Sequence, residues 1–228
     1  MRLHCIRHVE YEYLGHIENW ANKNDIEISY SNLFENPNLP AHNDYDFLCV
    51  LGGPMNIYDY GEYRWLKSEK NFIGGAIIKR KKILGICLGA QLLADLLGSK
   101  IYQNPFKERG WFDIEKVDDK IDLIRDFPHT QKVFHWHGDT FNLPKGAINL
   151  FKSEACENQA FLYGNNILGL QFHLEMTEQG IKELAGHSKS EIEVGKYIQT
   201  FDAIVDNLNL TQSCHNLMEG LLTKFFCN

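Results

Sequence analysis

The stretch Lys82-Ile83-Leu84-Gly85-Ile86-Cys87-Leu88-Gly89-Ala90-Gln91 constrains this chain more than any other. Its apolar first half reads as a buried strand. Its second half opens a helix that continues through Leu92, Leu93, Leu96 and Leu97 to Gly98, a natural helix stop. Cys87 sits between the two, with Gly85 and Gly89 two residues away on either side. This is the Gly-x-Cys-x-Gly form of a nucleophile elbow: the strand-to-helix turn is tight, so its flanking residues must be small, and the reactive side chain stands exposed at the top of a sheet. The helix N-terminus supplies free N–H groups and the positive end of the dipole, and both favour a thiolate. The plain alternative is a buried, inert cysteine.

With 228 residues the chain can bury one sizeable core, and we expect a single domain over residues 1–228, with a helical C-terminal region over about 177–228. Its 44% hydrophobic and 23% charged residues are those of an ordinary globular protein. A net charge of -7 argues against nucleic acid or anionic membrane as a partner. Cys5, Cys49, Cys87, Cys156, Cys214 and Cys227 form no Cys-x-x-Cys pair, so neither a zinc knuckle nor a disulfide framework is suggested. Cys5, Cys49 and Cys87 fall in or at the end of strand-like runs, which fits reduced thiols. The N-terminus is too polar for a signal peptide, and no apolar run approaches the ~18 residues that span a bilayer, so the expected location is cytoplasmic.

Strands are expected at Leu3–Val9, Ile26–Tyr30 and Phe47–Leu51, the last apolar throughout, as in a strand covered on both faces. Helices are expected at Gly15–Asn24 and Glu62–Lys81, the latter with Trp65, Phe72, Ile73 and Ile77 facing inward. Strand and helix therefore alternate over the first hundred residues, which argues for a parallel sheet with helices on both faces. The middle of the chain differs. Trp111–Val117, Val133–His137, Ile148–Lys152, Ala160–Tyr163 and Ile167–Phe172 read as short strands, with a short helix at Ile121–Phe127, so mixed or antiparallel additions are expected. Helices follow at Glu178–Ala185, Ser190–Asn207 and Thr211–Phe226. The fold class is α/β, a mostly parallel, mixed central sheet flanked by helices. The basic run Lys79-Arg80-Lys81-Lys82 reads as a solvated helix end.

A cysteine nucleophile needs a base, and the base needs an orienting group. Leu168-Gly169-Leu170-Gln171-Phe172-His173-Leu174-Glu175 offers both: residues two apart on an extended backbone share a face, so Glu175 can hold His173 while the ring's other nitrogen faces a sulfur. His135 and His137 form a His-x-His pair, but no third ligand stands beside them in the sequence, so they are read as structural and no metal is expected.

The elbow, followed by Gln171-Phe172-His173-Leu174-Glu175, resembles the class I glutamine amidotransferase family. Gly52-Gly53-Pro54 and His137-Gly138-Asp139 are further matches in order, and Lys107-Glu108-Arg109-Gly110-Trp111 resembles a loop of the stand-alone GMP-synthase-like members. The resemblance covers essentially the whole chain. It implies a flavodoxin-like fold and a Cys-His-Glu triad of Cys87, His173 and Glu175. It also implies backbone oxyanion donors at Gly53 and Leu88, and substrate contacts from Gln91, Gly138 and Asp139. His8 and Glu12 lie near enough in the chain to reach such a site, but neither is assigned a role. The implied partner is glutamine or another γ-glutamyl compound, and no cofactor is implied. Many members carry proline where this chain has Leu174, so the His-Glu segment is less rigidly preset here. Nothing in the chain matches the phosphate loop of an ATP-pyrophosphatase region, so this chain is not expected to bind ATP. Three readings remain open: a glutaminase domain or subunit passing ammonia to a separate synthase, a self-sufficient γ-glutamyl peptide hydrolase, and a non-catalytic protein on the same scaffold.

Overall fold

The computed structural model describes residues 1–187 and 195–227. Its strands are β1 (Arg2–Arg7), β2 (Glu27–Asn32), β3 (Phe47–Val50), β4 (Lys82–Ile86), β5 (Ile101–Lys116), β6 (Thr130–Phe141), β7 (Ala147–Ser153), β8 (Ala160–Tyr163) and β9 (Ile167–Leu170). Its helices are α1 (His16–Lys23), α2 (Leu66–Ile78), α3 (Leu88–Leu96), α4 (Glu178–His187), α5 (Phe201–Val205) and α6 (Thr211–Cys227). The nine strands form one sheet in the order β2-β1-β3-β4-β9-β8-β7-β5-β6. From β2 to β9 all neighbours are parallel, and from β9 onward all are antiparallel. The expected mixed α/β architecture is the one observed.

Period-two alternation explains why the central strands are apolar throughout. In β3, Phe47 and Cys49 join one core with Trp20 of α1 and Phe226 of α6, while Leu48 and Val50 join a second core with Ile73 of α2 and Leu92 of α3. Leu84 and Ile86 of β4 face the first core and Ile83 the second. Across the first face, α1 and α6 meet through Trp20 and Phe226, with ring centroids 5.9 Å apart, and Trp20 Nε1–H donates to Thr223 Oγ1 at 3.1 Å.

Three expectations require correction. The inner face of α2 contains Ile73, but Trp65, Phe72 and Ile77 are only partly buried, and Glu69 and Lys70 are buried instead. Each is neutralised by a partner that the sequence does not reveal, His8 for Glu69 and Asp95 for Lys70. The strand expected at Trp111–Val117 is the end of a much longer one, Ile101–Lys116, which also takes in Pro105 and the Lys107–Trp111 run that resembles a loop. The chain accommodates the proline where the β5–β6 register breaks, between Gln103 and Glu108. Of the helix expected at Ser190–Asn207, residues 190–194 lie outside the described residues, and only Phe201–Val205 is helical. Thr200 caps it, accepting a hydrogen bond from the Ala203 N–H at 3.2 Å. The segment before it pairs with β5 through Arg109 N–H to Tyr197 O and Gln199 N–H to Arg109 O, both 2.9 Å.

His4 of β1 is buried, with Ser29 Oγ at 2.8 Å and Ser31 Oγ at 3.0 Å from its ring nitrogens. Burial lowers its pKa to about 4. The unfolded chain then binds more protons than the folded one between about pH 4 and pH 6.5, so this residue's contribution to stability shrinks as pH falls through that window. Denaturant titrations across the window should show stability falling on acidification, and His4→Gln should flatten the slope.

Candidate active site

The C-terminal ends of the parallel strands converge on a cavity of about 420 Å³, lined by Cys87, Leu88, Gln91, Gly53, His137, Gly138, Asp139 and His173, among others. Ligands of open α/β sheets bind outside these strand ends. Glu175 stands behind His173 rather than on the cavity wall.

Cys87 follows β4 directly and precedes the first residue of α3. Its backbone is at φ 52° and ψ −107°, a conformation that typically costs a non-glycine residue about 1–3 kcal/mol. The neighbouring structure holds it there. The Cys87 N–H donates to Leu170 O at 2.7 Å, and Cys87 O accepts from the Gln91 N–H at 3.1 Å. The flanking glycines are required by contact: a Cβ on Gly89 would fall on the Val50 carbonyl, and one on Gly85 would lie 2.5 Å from Gly89 O. Leu88 opens α3, so its N–H is among those that no helical carbonyl reaches.

His173 is fixed from two sides. Its N–H donates to Phe134 O of β6 at 2.8 Å, and its ring Nδ1 lies 2.6 Å from Glu175 Oε1. Nε2 is buried. The Cys87 sulfur is close enough to raise the ring's pKa. Burial works against the imidazolium, but the Glu175 carboxylate and then Cys87 outweigh it and hold the pKa well above the ordinary histidine value. The Leu174 N–H donates to Glu175 Oε2 at 3.0 Å, a contact that proline could not make. The start of α1 meets Glu175 from behind, with the His16 N–H 2.7 Å from Glu175 O; a Cβ on Gly15 would collide with that carbonyl.

Beside this group lies Gly52-Gly53-Pro54, which follows β3. His8 is buried beneath it, with Nδ1 2.7 Å from Gly52 O and Nε2 2.7 Å from Glu69 Oε1. Burial opposes the charged form of His8, but Glu69 overcomes it and raises the pKa. Glu12 lines the cavity; its own pKa is raised by burial, a shift that the charges of His173 and His8 oppose.

Every site residue named from the sequence is in or against this cavity. Gln91 Nε2–H donates to Asp139 O and to Gln171 Oε1, both at 3.2 Å, and Asp139 Oδ2 accepts from Asn56 Nδ2 at 2.8 Å. Tyr11, Asn56, Asp59, Arg109 and Trp136 also line the wall and were not singled out as site residues. The Arg109 guanidinium lies over the Trp136 ring, 5.3 Å from its centroid. The β5–β6 pairing sets Arg109 opposite Trp136 at this wall, a placement that its position in the Lys107–Trp111 run does not reveal. The same pairing changes the reading of His135 and His137, because it sets Glu108 directly opposite His137 as a third potential ligand.

The cavity sets a strained cysteine at a strand-to-helix turn beside a carboxylate-held histidine at the strand ends of an α/β sheet, and comparison with known proteins gives the family. The family model for class I glutamine amidotransferases matches residues 8–184. The glutamine amidotransferase-like protein YfeJ of Salmonella typhimurium is 34% identical over 198 residues, covering 84% of this chain and 83% of that one. A crystal structure of a glutamine amidotransferase from Thermotoga maritima superposes with a TM-score of 0.91 at 35% identity, covering 100% of this chain and 98% of that one. A GMP synthase [glutamine-hydrolyzing] of Lacticaseibacillus casei is 35% identical over 131 residues, 57% of this chain but only 24% of the synthase. The chain belongs to the class I glutamine amidotransferase family.

The packing at Gly89 gives a direct test. Gly89→Ala should destabilise the fold by about 1–3 kcal/mol or more, because the Val50 carbonyl is backbone and cannot rotate away. Urea denaturation would measure it.

Proposed function

We propose that this chain hydrolyses the side-chain amide of glutamine to glutamate and ammonia through a thioester on Cys87, as a stand-alone amidotransferase domain or subunit spanning residues 1–228. The observation that carries the reading is the conjunction of Cys87 at its strained turn with the His173–Glu175 pair, 2.6 Å apart, in a member of this family.

In this mechanism Cys87 Sγ attacks the amide carbon. The developing oxyanion is met by the N–H groups of Leu88 and Gly53, which line the cavity together. His173, protonated and steadied by Glu175, gives its proton to the departing nitrogen, and ammonia leaves. The ring, now neutral, takes a proton from water, which attacks the thioester; glutamate is released and the thiolate–imidazolium pair is restored. Gln91, Gly138 and Asp139 bind the amino-acid end of the substrate. Asp139, Glu12 and Asp59 offer carboxylates for an ammonium, and Arg109 brings a cation to the same wall. Ammonia is passed to a separate synthase. Six free thiols support a cytoplasmic setting; no described helix is long and apolar enough to cross a membrane.

Purified protein should release glutamate from glutamine, and Cys87→Ala and His173→Ala should each abolish it. Retention of near-wild-type turnover by either variant would refute the mechanism. Cleavage of γ-glutamyl peptides with little glutaminase activity would instead identify a γ-glutamyl peptide hydrolase using the same residues. Glu175→Gln should lose less activity and should also shift the pH profile. Removing that carboxylate lowers the His173 pKa, so the alkaline limb of kcat/KM, where the imidazolium loses its proton, should move to lower pH.

His8 positions the Gly52-Gly53 turn. His8→Ala should therefore lower kcat, by at most the roughly 10²–10³ that loss of one oxyanion donor costs. Glu69→Gln should lose less, because a neutral His8 can still donate to Gly52 O. Steady-state kinetics of the two variants would check the order.

A further inference from the structure

Glu108, His135 and His137 form a second polar cluster, buried behind the cavity wall that His137 helps to line, and none of the three is used by the reaction assigned to Cys87. The antiparallel register places Glu108 of β5 opposite His137 of β6, and His135, two residues away, points to the same face. One donor atom from each residue lies within 4.8 Å of the others. His137 Nε2 is 3.1 Å from Glu108 Oε2, and His135 Nδ1 is 3.9 Å from Glu108 Oε1. Glu108 and His135 are fully buried, and His137 is 6% exposed.

The hydrogen bonding leaves this cluster incomplete. His137 Nδ1 lies 3.1 Å from the Asp139 carbonyl oxygen, an acceptor, so the N–H of a neutral ring belongs on Nδ1. Nε2 then presents a lone pair toward a carboxylate, and two acceptors face each other. The ring nitrogens of His135 and Nε2 of His137 are buried; the Phe112 backbone serves one His135 nitrogen, and Nε2 of His137 has only the Glu108 carboxylate beside it. A proton on His137 would resolve its contact with Glu108 but would leave one His135 ring nitrogen, the one not served by the Phe112 backbone, without a partner. A cation between the three donors would take that nitrogen together with His137 Nε2 and Glu108. The groups behind the donors also suit a metal centre. Ser153 Oγ–H donates to Glu108 Oε1 at 2.8 Å, Gln159 Nε2–H donates to Glu108 Oε2 at 2.6 Å, and the Asp139 carbonyl orients His137.

We propose that Glu108, His135 and His137 bind one divalent transition-metal ion, with Zn²⁺ the best match to two imidazoles and a carboxylate. Ligand atoms around tetrahedral zinc lie about 3.3 Å apart, so loading requires side-chain adjustments of about 1 Å. His137 lines the substrate cavity while its Nε2 is buried against Glu108, so the ion would brace the wall formed by His137, Gly138 and Asp139 from behind. The proposal is independent of the reaction assigned to Cys87.

The test uses the Cys87→Ala chain, expressed without a histidine tag, so that the cysteine cannot capture the metal. Equilibrium dialysis against Zn²⁺ followed by elemental analysis should give about one ion per chain, and Co²⁺ in its place should give visible ligand-field absorption. His135→Gln on that background keeps the side chain's size and hydrogen-bonding capacity; it should weaken uptake at least about tenfold and abolish the thermal shift produced by Zn²⁺. Background-level metal in the Cys87→Ala chain would overturn the proposal, as would uptake and thermal shift unchanged by His135→Gln. Glu108→Gln should act in the same direction wherever circular dichroism shows it folded.

Discussion

The closeness of α3 to β3 is the constraint on which the site depends. Gly89 lets the first turn of α3 lie against the Val50 carbonyl, and Gly85 lets the strand pass beneath the same turn. With both elements packed so tightly, the residue between them has little freedom, and Cys87 takes a positive φ that a side-chain-bearing residue adopts only when its surroundings impose it. The sulfur is thereby carried to the cavity, and the N–H of Leu88 becomes one of the free donors of a helix start. The strain is offset by burial of Leu88, Leu92 and Leu93 and by the parallel pairing of β4 with β3 and β9.

Around that turn, polar groups are buried in pairs. His173 with Glu175 and His8 with Glu69 are pairs buried on both sides, and Lys70 is buried against a partly exposed Asp95, each with its partner within 2.8 Å. Such pairs add little net stability compared with apolar replacements, but they set positions sharply, because either partner alone would be costly to bury. Two of the three meet the proposed chemistry directly. One orients the histidine, and the other carries the Gly52 carbonyl and so the turn that presents Gly53.

The antiparallel half of the sheet contributes differently. The β5–β6 pairing brings Arg109, Trp136, His137, Gly138 and Asp139 to the wall facing Cys87. Its residues reach the cavity through cross-strand register rather than through a local turn. The parallel half therefore supplies the reactive cysteine and the loops after β1 and β3, and the antiparallel half supplies a second wall of the cavity.

The sequence by itself determined the elements whose signals are local. The apolar run of β4, the glycine pair about Cys87 and the two-residue spacing of His173 and Glu175 depend only on neighbours in the chain, and they revealed the fold class, the family and the proposed triad. Tertiary structure alone decided which distant residues meet. Glu69 and Lys70 look like solvent-facing helix residues until His8 and Asp95 are brought to them. Glu108 looks like part of a charged loop until the register sets it against His137. The length of β5 was hidden because a proline in a strand reads as a break unless a bulge absorbs it. In each case the deciding energy is a contact between groups tens of residues apart, and no local pattern carries it.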